Sequence, residues 1–176
     1  MRAAIGMVDA GFGLGPATTL LGAWWVLRAN QAWAPYPDND PDRARAFMRR
    51  FYALVQRVHG LSIDPTEAAR LEVAWWHEHR VLQRERTDAD EAALVSALAQ
   101  LYAYVYARPV EQMAAPAHDR AQAMRVSDAW VAGGCLPGDP RLREQRHLLV
   151  RSYSRLLDAV AAHEAPSKRS TPGREV

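Results

Sequence analysis

The chain has 176 residues, of which 49% are hydrophobic and 24% charged, and a formal net charge of +2. This length can bury a hydrophobic core without disulfides, and the composition excludes an intrinsically disordered chain. So small a net charge excludes a strongly basic surface for nucleic acid, and we expect no nucleic-acid partner.

The N-terminal residues 1–15 are rich in glycine and predict an irregular lead-in. The apolar run at 14–27 is too short to span a bilayer as a helix. Asp9 before it and the tryptophans within it do not fit a secretion signal. Cys135, the only cysteine, cannot form an intrachain disulfide. We therefore expect a cytoplasmic protein with no membrane partner.

Six helical segments follow, and three of them start at the same dipeptide, Asp-Pro. Aspartate caps a helix by accepting a backbone N–H, and proline is tolerated in the first helical position. After Asp64, Glu67 completes the pattern of a capping box. The predicted helices span residues 17–34, 41–59, 65–86, 89–107, 110–132 and 140–163.

Glycine and proline mark the ends of these helices. Gly60 and the pair Gly133-Gly134 are typical C-terminal stops. Pro109 is expected to open the fifth helix, and Pro116 to kink or interrupt it.

No segment shows the sustained alternation of a β-strand. The sequence therefore predicts an all-α fold, a single-domain bundle of about six helices over residues 16–164. Residues 165–176 are expected to form a disordered tail. The fourth helix is apolar around much of its circumference, which indicates either a central position or burial in a homodimer.

The third helix carries the most informative pattern in the chain. With about 100° per residue, Trp75 and Trp76 share a face with Glu72, His79 and Gln83. Because the opposite face is mainly charged, the tryptophan face is predicted to be buried. Large aromatic and ionisable groups seldom share a buried stripe without partners or a ligand. This face is therefore the candidate site.

The first helix offers a partner for the glutamate of that face. Arg28 and Gln31 share a helical face with Trp24 and with several leucines. A buried guanidinium needs a carboxylate, so Arg28 is predicted to pair with Glu72.

The fifth helix offers a partner for the histidine. Asp128 lies on the more apolar face of that helix, together with Arg120 and Ser127. We expect Asp128 to accept a hydrogen bond from a ring N–H of His79, as an orienting carboxylate does for a general base.

Two patterns resemble metal-ligand spacings but are discounted. Glu144 and His147 have the Glu-x-x-His spacing of di-iron bundles, yet they fall opposite the apolar face of their helix. That face is predicted to contain Leu142, Leu149, Tyr153, Leu156 and Val160. His77 and His79 point about 200° apart on one helix and cannot chelate together. We predict no metal and no cofactor.

Two functions fit these observations. The first is a small cofactor-independent enzyme, or a binding protein, for a bulky hydrophobic or aromatic molecule in a tryptophan-lined pocket. Isomerisation, cyclisation or dehydration suit it best, with His79 as acid or base, Asp128 as its orienting group and Glu72 as the third catalytic residue. The predicted substrate contacts are Arg28, Gln31, Gln83, Trp24, Trp75 and Trp76. The second function is a non-enzymatic helical interaction protein, a homodimer, whose polar core pairs are structural. The sequence does not decide between them.

Overall fold

A computed structural model describes residues 13–162, which fold into a single helical domain without strands in that range. Its six helices are α1 (Pro16–Trp33), α2 (Pro41–His59), α3 (Pro65–Glu85), α4 (Asp88–Tyr106), α5 (Val110–Ala132) and α6 (Pro140–Ala161). The predicted all-α fold is confirmed, and the predicted helix limits agree to within two residues. The expected tail at 165–176 and most of the expected lead-in at 1–15 lie outside the described residues. None of the helices within 13–162 is long and apolar enough to cross a membrane.

The three Asp-Pro pairs begin helices as predicted. Each aspartate accepts a hydrogen bond of 2.8–2.9 Å from a backbone N–H two or three residues further on. These capping residues are Asp40, Asp64 and Asp139. The capping box predicted for α3 does not form, because Glu67 pairs with Arg70 instead. A capping box occurs at α4, where Thr87 and Asp90 exchange hydrogen bonds.

Each helix makes its closest approaches to its neighbours in the chain, and two hydrophobic clusters result. The first cluster joins α1, α2 and α3 to the end of α4, and the second joins α4, α5 and α6 to the end of α3. Trp75 and Tyr106 pack against both clusters. The helix α4 supplies buried residues to both clusters. It therefore lies at the centre of the domain, which is one of the two positions that its apolar circumference predicted.

The helices α5 and α6 are joined by buried polar contacts. Asp119 is fully buried and accepts hydrogen bonds from Arg151 at 2.5 and 3.0 Å and from Arg155 at 2.9 Å. The Ser152 hydroxyl donates to the Pro116 carbonyl at 2.8 Å. The helix α5 runs through Pro116 without the predicted interruption.

The inner face of α6 differs from the predicted one. Leu148 and Ser152 are buried, whereas Tyr153, which we expected in the core, is 49% exposed. A polar residue fits the inner face because Ser152 finds an acceptor there. Glu144 and His147 are exposed, as predicted.

Candidate functional site

A cavity of about 170 Å³ lies where the two hydrophobic clusters meet. All six helices contribute to its wall, and most of that wall is aliphatic or aromatic. The polar side chains of the lining are Tyr52, Glu72, Tyr102, Tyr106, Arg120 and Tyr153. The cavity therefore combines one carboxyl group, one guanidinium and several phenols in a mostly apolar wall that is partly open to solvent.

Glu72 is held in a fixed orientation at this wall. Its Oε2 accepts a hydrogen bond from the Tyr52 hydroxyl at 2.7 Å, and its Oε1 accepts one from the Trp76 Nε1–H at 3.2 Å. Removal from bulk water raises the pKa of Glu72, although these two donors act in the opposite direction. Such a carboxyl exchanges its proton closer to neutral pH than an exposed glutamate does, which is the property of a general acid or base.

Tyr52 stays a hydrogen-bond donor across the physiological range. Burial, and then the neighbouring Glu72 carboxylate, raise the pKa of Tyr52 well above its ordinary value. The phenol is therefore protonated whenever Glu72 is ionised, and the bond between them persists.

Arg120 brings positive charge to the same cavity without contacting Glu72 as an ion pair. Its Nη1 lies 3.4 Å from the Tyr153 hydroxyl, and its guanidinium lies 6.0 Å from the centre of that ring. Through space, Arg120 lowers the pKa of Glu72 slightly against the larger effect of desolvation. Because Tyr153 is half exposed, the Arg120–Tyr153 pair marks the side of the cavity nearest to solvent.

The predicted pairing of Arg28 with Glu72 is wrong. Arg28 donates to Gln31 at 3.1 Å, and its guanidinium lies over the rings of Trp24 at 5.7 Å and Phe47 at 5.6 Å. Trp24 is 43% exposed, and neither it, Arg28 nor Gln31 lines the cavity. The reason is the rotation of α1, whose small residues face inward and allow close helix packing. The buried residues of α1 are Thr19, Gly22, Ala23 and Ala29.

The predicted contact between His79 and Asp128 is present, but away from the cavity. His79 Nε2 lies 2.9 Å from Asp128 Oδ2, and Gln83 donates to Asp128 Oδ1 at 2.8 Å. These three residues join α3 to α5, and none of them lines the cavity. The helical face that was predicted to form one site therefore contributes to two separate places. Glu72 and Trp75 line the cavity, whereas His79 and Gln83 form a polar cluster with Asp128.

Sequence reasoning missed most of the phenols around Glu72. Tyr52 shares a helical face of α2 with Met48, Phe51 and Val55, all of them buried. A single hydroxyl on an otherwise apolar stripe is a signal that the sequence contained. The helical periodicity correctly predicted that Arg120 lies on the inner face of α5, but it did not predict the contact with Tyr153.

Comparison of the chain with family models, curated proteins and solved structures finds no match.

Proposed function

We propose that the protein binds a small aromatic molecule in the central cavity and that Glu72 exchanges a proton with it. The observation that carries this proposal is a carboxyl group, fixed by two donors, in a cavity whose wall is otherwise mostly apolar. A carboxyl with a raised pKa inside a cavity is typical of functional sites.

The volume limits the ligand. An engineered apolar cavity of about 150 Å³ in another protein accommodates benzene. The present cavity of about 170 Å³ suits a single ring with one or two substituents. The bulky ligand expected from the sequence exceeds this volume.

The polar groups suggest the reaction. Glu72 and Arg120 reach the cavity from α3 and α5 and do not neutralise each other directly. A ligand with a carbonyl oxygen near Arg120 would place an adjacent C–H toward Glu72. Glu72 would remove that proton, Arg120 would stabilise the enolate oxygen, and Glu72 would return the proton to another carbon. The net reaction is an isomerisation that needs no cofactor.

Binding of phenol, measured by ligand-observed NMR, tests the proposal. We expect Leu98→Trp, which fills the cavity, to weaken binding at least about tenfold. His79→Ala is the matched control, since His79 lies outside the cavity, and should bind as the wild type does. Equal binding by Leu98→Trp, with its fold verified by circular dichroism, would contradict the proposal. So would an absence of binding by the wild type.

A second candidate function is favoured by exposed apolar residues on the first and last helices. Those of α6 recur at helical spacing and are 49–69% exposed. The residues concerned are Leu20, Leu21 and Trp24 on α1 and Val150, Tyr153 and Leu157 on α6. Such faces fit a homodimeric interaction protein. Light scattering after gel filtration tests it, with a dimer expected for the wild type and a monomer for Leu157→Glu.

A further inference from the structure

A second concavity, of about 660 Å³, opens on the side of α3 opposite the cavity. It lies between α3, the beginning of α2 and the segment 34–40 that follows α1. Its volume falls within the range of about 300–1,000 Å³ that is usual for small-molecule sites. We call it the α3 groove. Its aromatic and cationic lining residues are Trp33, Tyr36, Arg45, Arg70, Arg80 and Arg84, and the lining also includes His77 and the carboxylates Glu78 and Glu85.

Arg80 is held in the groove by aromatic rings. Its guanidinium carbon lies 4.3 Å from the centre of the Trp33 ring and 5.5 Å from that of Tyr36, and its Nη2 donates to the Trp33 carbonyl at 2.8 Å. The other terminal nitrogen, Nη1, is buried and has no acceptor. Loss of hydration lowers the pKa of Arg80, which reflects the same incomplete compensation of its charge.

Arg84 stands one helical turn beyond Arg80 on the same face. Its guanidinium lies 4.9 Å from the Tyr36 ring, and its Nη1 donates to the Tyr36 hydroxyl at 2.5 Å. Two like charges at this spacing repel each other along a helix. Stacking on the aromatic rings fixes the orientation of both guanidinium groups but does not neutralise their positive charge.

The two arginines differ from the other arginines of the groove. Arg45 and Arg70 form ion pairs with Asp42 and Glu67. Within residues 13–162, neither Arg80 nor Arg84 has a carboxylate at ion-pair distance. Attachment of the segment 34–40 to α3 explains the stacking, but the aromatic rings supply no negative charge to balance either guanidinium.

We propose that the α3 groove binds an aromatic phosphate monoester, with its dianionic phosphate between Arg80 and Arg84. Guanidinium groups match phosphate oxygens by paired hydrogen bonds, and two of them match a double negative charge. The rings of Trp33 and Tyr36 line the same groove and offer a surface for the ring of the ligand. The site is independent of the central cavity, because it uses the opposite face of α3.

Calorimetric titration of the full chain with phenyl phosphate, at low ionic strength and near neutral pH, tests this assignment. Arg84→Gln is the main variant, because its exposed side chain can be replaced without opening the core. Arg57→Gln is the matched control, since it removes the same charge from an exposed position of α2 outside the groove. We expect Arg84→Gln to weaken binding at least about tenfold and Arg57→Gln to change it less than about twofold.

Two further probes define the ligand class. Inorganic phosphate should bind more weakly than phenyl phosphate, and Tyr36→Leu should reduce that preference for an aromatic ring. Benzoate, a monoanion, should bind more weakly than phenyl phosphate. Equal binding of benzoate would overturn the phosphate assignment, and equal losses in Arg84→Gln and Arg57→Gln would overturn the site. Failure of the wild type to bind phenyl phosphate would overturn the proposal as a whole.

Discussion

Two carboxyl groups of the core, Glu72 and Asp119, have pKa values shifted in opposite directions. Desolvation dominates at Glu72 and raises its pKa. Burial would also raise the pKa of Asp119, but hydrogen bonds and charge from Arg151, with added charge from Arg155, lower it. The two residues therefore affect stability in different pH ranges, and each can be tested separately.

For Glu72, the folded state binds the proton more tightly than the unfolded state. Stability contributed by the protonated carboxyl is fully present below about pH 4.3 and is lost as the pH rises through the folded pKa. Replacing Glu72 with Gln removes this dependence. Urea unfolding should thus show the stability of the wild type, relative to Glu72→Gln, falling as the pH rises above about 4.3 and levelling off above the raised folded pKa.

Glu144→Gln is the control for this measurement, because Glu144 is exposed on α6. Its difference from the wild type should vary little over the same range. A constant difference for Glu72→Gln would show that Glu72 has no raised pKa in the folded protein.

For Asp119, the sign is reversed. The ion-pair group contributes stability above about pH 3.9, and this is lost as the pH falls through the lowered folded pKa. Asp119→Asn should cost about 1–3 kcal/mol at neutral pH, since it weakens hydrogen bonds to a buried acceptor. The lower half of this range is expected, because Arg151 and Arg155 are 39% and 48% exposed and regain water.

Urea unfolding near pH 7 and near pH 3 checks this expectation, with the difference between Asp119→Asn and the wild type shrinking at the lower pH. Asp158→Asn, at an exposed position of α6, serves as the control. A loss of stability that persists unchanged in acid would assign the effect to packing and not to charge.

Helix ends were predictable because their signals are local. The Asp-Pro pairs act on N–H groups within three residues, so the sequence contains the whole interaction. The rotation of each helix about its axis was less predictable, since it depends on the shape of the neighbouring helix. In α1, small residues face inward and Trp24 faces out, although the tryptophan face is the more apolar one.

The cap of α3 gives a prediction for a single helix. Asp64→Ala removes the side-chain acceptor for the Thr66 N–H and should lower the free energy of unfolding by about 1 kcal/mol. Asp64→Asn retains an acceptor and should cost much less. Urea unfolding of both variants at one pH measures the difference, and equal losses would mean that the cap bond does not account for the effect.

The candidate site was the least predictable feature, because it is assembled from every helix of the domain. The contact of His79 with Asp128 followed from two helical faces, whereas the partners of Glu72 depend on which residues of α2 lie opposite it. Periodicity assigns a residue to a face but not to a level along the neighbouring helix. A cavity, being a gap in packing among six elements, has no sequence pattern of its own.

The packing of each helix on its neighbours in the chain has a consequence for the kinetics of folding. Contacts between adjacent helices are close in sequence, which is a topology of low contact order, and such proteins fold in microseconds to milliseconds. We expect the main refolding phase, followed by stopped-flow circular dichroism, to be complete within about 0.1 s. A main phase lasting seconds would indicate a slow step that this topology does not contain.

The order in which the helices associate also determines when the cavity around Glu72 is formed. Any adjacent pair of helices can associate early, because its loop is short, but the enclosure around Glu72 exists only when α1 to α6 are all in position. During synthesis, the chain would accordingly gain most of these helices before it gains the complete cavity. Of the six helices described, α6 emerges last, and it supplies Tyr153 to the wall.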